Sequence, residues 1–241
     1  MRRRDLLAGL AVATVEARAQ NLATAAPNKE SLYIPKPQLV EDRRLLHDFM
    51  DEFSFVDLVT VSPSLRITHI PVFLDRNGGT YGTIHGHISR QNPQIEAIEN
   101  KQTAVVVFHG PNGYISPTWY AKTGNVVPTW NFAVVHATGK LGAVEGKKEL
   151  NDLLSKLIAK FERYEGTNYD FSKIDATYKY GLMGGIIGFE LEIELLEGKF
   201  KLGQDRSAAD KQSLLTKLAD AKAPPSLRDF TARFYEWQSK T

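Results

Sequence analysis

Runs of β-forming residues at short spacing set the first limit on what this chain can become. Phe55 to Val61, Leu65 to Leu74, Thr80 to Ile88, Thr103 to Phe108, Trp130 to Val144 and Ile186 to Leu195 are such runs. The third places Thr83, His85 and His87 on one face, and the last places Glu190, Glu192 and Glu194 on another, as the two-residue period of a half-exposed strand requires. Asp75 to Gly79 reads as a hairpin turn. Glu197-Gly198 reads as a second turn, with Lys199 to Leu202 pairing back. Strands this close together, with helices inserted between them, predict a β-barrel with α additions.

The helices are marked by caps and stripes. Asp42 is placed to cap a helix whose Leu45, Leu46, Phe49, Met50 and Phe53 share one stripe. Asn92-Pro93 reads as a second start, with the helix ending near Asn100. From Lys147 to Arg163, Leu150, Leu153, Leu154, Leu157, Ile158 and Phe161 follow the helical spacing closely. Residues 164–182 carry no clear pattern. Ala208 to Ala221 and Leu227 to Gln238 read as helices split by Pro224-Pro225. There is no internal repeat, and 241 residues at 42% hydrophobic content suit one large domain with appendages.

Several chemistries are excluded. The chain has no cysteine, which removes disulfides, thiolate catalysis and zinc–thiolate sites. The net charge of +2 gives no electrostatic footprint for nucleic acid. No run of eighteen apolar residues is present, so no ordinary membrane span is expected. There is no G-x-G-x-x-G, no P-loop, no G-x-S-x-G and no H-E-x-x-H. His85-Gly86-His87 sets two imidazoles on one strand face, but no neighbouring carboxylate completes a metal set. At the N-terminus, Arg2-Arg3-Arg4, the apolar run Leu6 to Val15 and Ala17-Arg18-Ala19 have the form of an export signal of twin-arginine type over residues 1–19. That places the mature chain in the periplasm or outside the cell, with residues 20–31 a flexible lead-in; without the signal the chain is cytoplasmic.

Polar and aromatic chemistry concentrates between His109 and Gly139. Trp119, Trp130, Tyr114, Tyr120, His109, His136 and Asn131 lie there among Ser116, Thr118 and Thr129. Flat rings beside amide and hydroxyl groups suit a planar, heteroatom-rich ligand, and equally suit a core whose polar tips are satisfied locally. Arg90 follows a strand and precedes a capped helix, where a phosphate contact is plausible. Lys199, Lys201 and Arg206 form a second basic cluster, able to hold a phosphate or to offset Glu190, Glu192, Glu194 and Glu197. Lys211, Lys217, Lys222, Arg228 and Arg233 read as a solvated helix face, since Pro224-Pro225 fits a helix-turn-helix poorly.

Taken in order, Leu32-Tyr-Ile-Pro-Lys36, His69-Ile-Pro71, Gly86-His-Ile-Ser-Arg90-Gln-Asn-Pro-Gln94, Tyr114-Ile-Ser-Pro-Thr-Trp-Tyr120, Val127-Pro-Thr-Trp-Asn131, Val135-His136 and Leu196-Glu-Gly-Lys-Phe-Lys-Leu202 resemble the PaiB-type FMN-binding negative transcriptional regulator family over about residues 32–210. Phe200, Gly203 and Asp205 stand where that family tends to have Trp, Ser and Asn. The resemblance implies an α+β, mainly β fold: an FMN-binding split β-barrel over residues 32–206, with inserted helices and a C-terminal helical extension at 207–241. It implies a homodimer with FMN near the subunit interface, or haem as the alternative cofactor. Carried residue by residue, it points to His87, Arg90, Asn92, Trp119, Tyr120, Thr129, Trp130, Asn131, His136, Lys199, Gln204 and Arg206. Arg90 with Lys199 or Arg206 would neutralise a phosphate, and Trp119, Tyr120 and Trp130 would wall a ring system. Asn131 and Gln204 would meet ring edges, and His136 would be a polar contact or a haem ligand. The expected role is redox or cofactor handling. A negative transcriptional regulator and a cofactor-free dimeric binding module are the alternatives, and no catalytic residue is assigned.

Overall fold

The strands pair into one antiparallel sheet in the order β3-β2-β6-β7-β8-β5-β4. They are β1 (Leu39–Val40), β2 (Phe55–Thr60), β3 (Arg66–Pro71), β4 (Phe73–Asp75), β5 (Thr83–Ser89), β6 (Thr103–Ile115), β7 (Thr129–Val144) and β8 (Ile186–Lys201). β1 pairs separately with β8. The computed structural model describes residues 31–121, 124, 126–220 and 225–240. The export signal and nearly all of the lead-in fall outside the described residues. Alternation is clean: Ile84, Gly86 and Ile88 of β5 are buried while His85 and His87 are half-exposed, as the sequence pattern predicts.

The sheet curls until β3 and β5 approach one another, yet no ladder joins them. The result is a split barrel, an open sheet with a seam. Side chains bridge that seam instead. Asn92 donates from Nδ2 to Thr68 Oγ1 at 2.8 Å, and the Thr68 hydroxyl donates to Gln94 Oε1. Gln94 is fully buried; its amide donates to Leu58 O at 3.1 Å and Thr60 Oγ1 at 3.0 Å. Gln94 thus ties the chain after β5 to β2 and, through Arg66 O, to β3 across the seam.

The core fills the barrel and one mouth. Helix α1 (Arg43–Glu52) starts at Asp42, whose carboxylate accepts from Leu45 N at 2.8 Å. Its Phe49 stacks obliquely on Phe200, with ring centres 5.1 Å apart. Phe230 and Phe234, from the last helix (α6, Pro225–Gln238), close the same cluster at 5.4 and 5.3 Å from Phe200. The C-terminal helices α5 (Ala208–Asp220) and α6 therefore supply part of the barrel core. Helix α3 (Lys147–Glu165) covers the outer face of β5 and β8 with Leu150, Leu153 and Leu154, followed by the short α4 (Ala176–Met183).

Three sequence expectations are corrected. Leu65 to Leu74 is two strands, broken at Val72. Glu197-Gly198 does not turn: β8 continues through it to Lys201, pairing with β7 on one side and β1 on the other. Gly198 is there for close approach, since a Cβ would meet Leu46 Cδ2 at 2.3 Å and Val40 O at 3.1 Å. The helix after Asn92 is α2 (Ile95–Glu99), beginning two residues later than Pro93 suggests; Asn92 Oδ1 instead accepts from Gln94 N at 2.9 Å.

Candidate functional site

Register fixes where the candidate residues lie. β7 is sixteen residues long. Its first residues pair with the end of β6, Trp130 opposite Tyr114 and Asn131 opposite Gly113. Its last residue, Val144, pairs with Gly188, which in turn faces His87 on β5. Trp130 and the His87–Asn92 segment therefore sit at opposite ends of β7, separated by roughly 45 Å of strand path at about 3.3 Å per residue. Within one chain the twelve residues form two groups, with His136 between them.

The first group surrounds the seam. A cleft of about 660 Å³ opens there, lined by Arg66, Thr68, Ser89, Gln91 and Asn92. The Ser89 hydroxyl accepts from Gln91 N at 3.2 Å, which leaves its own proton to donate outward. Arg66 uses Nη1 on Pro93 O at 2.9 Å and stands 3.9 Å from the Glu96 carboxylate, so the other donors of its fork remain for an anion. Arg90 is exposed; its backbone N–H donates to Gly185 O at 2.9 Å, and its guanidinium makes no ion pair among the described residues. Arg90 lines a separate cleft of about 480 Å³ with Lys147 and Tyr180. His87 lies under α3, its Nδ1 sealed from solvent with no partner among the described residues. Burial lowers its pKa, so the ring is held neutral.

The second group surrounds the start of β7. Period two splits its motif: Trp130 points outward and is 51% exposed, while Asn131 points inward and is buried. The Trp130 Nε1 donates to Asn112 Oδ1 at 3.1 Å, and its ring stands edge-on to Tyr114. The Asn131 amide nitrogen has no partner among the described residues, a costly position for a donor unless something else satisfies it. Trp119, in the short turn Pro117–Trp119, packs against the core and its carbonyl accepts from Ser213 Oγ at 2.7 Å. Tyr120 is buried beneath Arg206, whose guanidinium lies 4.6 Å from the ring centre. Burial raises the Tyr120 pKa, with Arg206 opposing.

Other members of this group are engaged by their own chain. Lys199 donates to Tyr33 O at 2.8 Å and rests over the rings of Tyr33 and Phe132. Thr129 Oγ1 accepts from Lys201 at 2.7 Å. Gln204 closes the turn after β8, donating to Pro37 O and Phe200 O while accepting from Leu202 N. His136 is half-buried beside Glu197; burial lowers its pKa and Glu197 opposes. No cluster of three or more metal-ligating side chains occurs among the described residues.

Arg66 and Thr68 are not singled out in the sequence, and Ser89, Gln91 and Gln94 enter only within the Gly86–Gln94 motif, not as candidate site residues. The signal of the latter was present as an unbroken polar run, Ser89 to Asn92, directly after a strand that alternates strictly. Arg66 and Thr68 had none, since their contact with that run depends on the curl of the sheet.

Residues 32–195 match the family described as "Putative FMN-binding domain". Protease synthase and sporulation protein PAI 2 of Bacillus subtilis is 31% identical over 194 residues, covering 80% of this chain and 92% of the relative. An uncharacterized protein of Aspergillus fumigatus is 30% identical over 197 residues, covering 64% of this chain and 76% of its own length. Among solved structures, the flavocytochrome Anf3 of Azotobacter vinelandii superposes with a TM-score of 0.53 at 12% identity, over 73% of this chain and 75% of the other. That likeness speaks for the fold.

Proposed function

Because the chain belongs to the FMN-binding domain family, of the PaiB type that its motifs resemble, we propose that it binds FMN as a homodimer and serves a redox or cofactor-handling role. The observation that carries this reading is the separation of the two residue groups along β7. A polar cleft with anion donors lies at the seam, and an outward aromatic wall lies at the far end of the same strand. A second copy, packed face to face, would bring the wall of one protomer to the seam of the other.

The sheet's outer surface supports such a partner. Ile67 is 53% exposed and Trp130 51%, apolar side chains that a second copy would cover. The seam residues fit a phosphate: Ser89 Oγ and the remaining donors of Arg66 would hold it, with Asn92 beside them. FMN, when bound, supplies electron transfer; the chain's part is to orient it and exclude water. Haem is the alternative cofactor, with half-buried His136 on β7 the residue that would ligate it. The form of residues 1–19 supports export, which N-terminal sequencing of the mature protein tests. Negative transcriptional regulation is the alternative reading, and the near-balanced charge counts against direct DNA contact.

Titration of FMN into the purified protein, read by flavin fluorescence, with light scattering for mass, tests the proposal. The expected result is a dimer that quenches FMN, with Trp130→Ala losing quenching while its melting temperature stays within a few degrees of the parent. A monomer that leaves FMN fluorescence unchanged overturns it.

A further inference from the structure

A third cleft lies at the opposite end of β2 from the seam. Its volume is about 550 Å³, and it opens where α1 and α3 end and β2 begins. Its walls are rings: Phe53, Phe55, Phe161 and Tyr164. An apolar cleft with a few placed polar groups is the usual form of a small-molecule site.

The charged groups there are mostly acidic. The cleft presents Asp51, Glu52, Asp57 and Glu165 against Lys160 and the imidazole of His109. Asp51 is held by Arg76 at 2.5 Å and Lys160 at 3.5 Å, and Glu52 by Arg233 at 2.7 Å. Two carboxylates remain without a fixed cation. Asp57 meets only the imidazoles of His69 and His109, the latter at 2.9 Å. Glu165 makes no ion pair among the described residues.

Two further observations point to a guest. Ser54 lines the cleft and is only 5% exposed, yet its hydroxyl has no hydrogen-bond partner among the described residues. Lys160 already rests its ammonium 5.8 Å from the centre of the Phe161 ring, so an alkylammonium on this wall is a contact the protein itself makes.

We propose that this cleft binds a primary ammonium carried on an aryl-alkyl body. The ammonium donates to the Asp57 carboxylate and the Ser54 hydroxyl, and the aryl group packs against Phe55, Phe161 and Tyr164. An anion of the same shape is repelled by Asp57 and Glu165. A neutral hydrocarbon leaves Ser54 unpaired. The site is independent of the flavin reading, since it shares no residue with the seam or with the aromatic wall.

Isothermal titration of the full-length protein with 2-phenylethylammonium, and in parallel with 3-phenylpropionate, tests the proposal. The amine is expected to bind saturably with a millimolar or tighter dissociation constant, and the acid not at all. Asp57→Asn and Tyr164→Ala each weaken the amine by about tenfold. Glu165→Gln, at an exposed position, weakens it severalfold and decides the matter should Asp57→Asn fail to fold. Absence of saturable amine binding, equal affinity for the acid, or parental affinity in both Tyr164→Ala and Glu165→Gln overturns it.

Discussion

The guanidinium of Arg206 lies over the ring of Tyr120, 4.6 Å from its centre. A cation that the resemblance assigns to a phosphate is therefore packed against the chain's own aromatic residue. On the reading proposed above, this leaves the phosphate to Arg66 and Ser89 at the seam. It also leaves a buried phenol whose proton is coupled to folding. Tyr235 is a second one: burial pushes its pKa well up, and its hydroxyl donates to Leu202 O.

Stability is expected to fall at alkaline pH because of these phenols. In the unfolded chain each loses its proton near 10, whereas burial raises both values in the folded protein. Their contribution is complete below the unfolded value and is lost as pH rises through the folded one. Urea unfolding between neutral and strongly alkaline pH checks this. Tyr235→Phe should flatten the decline, and an unchanged slope in that variant would count against the assignment.

A loss at mildly acid pH is expected from the histidines. Burial lowers the pKa of His85, His87 and His136 below the ordinary 6.5. The unfolded chain then takes up protons that the folded one refuses, so stability declines as pH drops below that value. His87→Gln should reduce the pH dependence between 7 and 5 in thermal unfolding (both pH limits being roughly the range over which histidine titrates).

Gln94 should matter more than any exposed residue near it. Gln94→Ala strips hydrogen bonds from Leu58 O and Thr60 Oγ1 and removes the acceptor of Thr68. The expected cost is about 2 kcal/mol, read as a lower urea midpoint, together with weaker FMN binding because the seam loses its brace. Retention of both would show that the brace is dispensable.

Gly139 sits at the bulge where β7 and β8 slip register, between Thr138 and Gly139. A Cβ there would meet Glu192 O at 1.9 Å, a backbone atom that cannot swing aside. Gly139→Ala is expected to cost about 3 kcal/mol, measurable by urea unfolding. Gly142→Ala, whose nearest neighbour would be a flexible Glu190 side chain at 3.4 Å, is the control that should cost far less.

Local pattern carried much of the fold. The cap at Asp42 and the outward pair His85 and His87 followed from spacing alone, because each depends on residues a few positions away. Gly198 did not: a glycine before Lys199 looks the same whether it turns the chain or admits Leu46, and only the tertiary neighbour decides. Gln94 is similar, its partners lying 36 and 34 residues earlier. At the candidate site, period two separates the directions of Trp130 and Asn131. What no pattern states is the register of β7 against β6 and β8, which puts that motif and Arg90 at different ends of the barrel.

The seam has a consequence for how sequence change can act on binding. An edge that no neighbouring strand occupies offers peptide N–H and C=O groups, and these are the same whatever side chains the edge carries. A flat guest bearing amide-like edges could take the place of the missing strand. Drift in the flanking residues would then retune affinity while leaving the docking geometry in place, so loss of the guest should demand a change in backbone course, such as a proline within Arg66–Pro71.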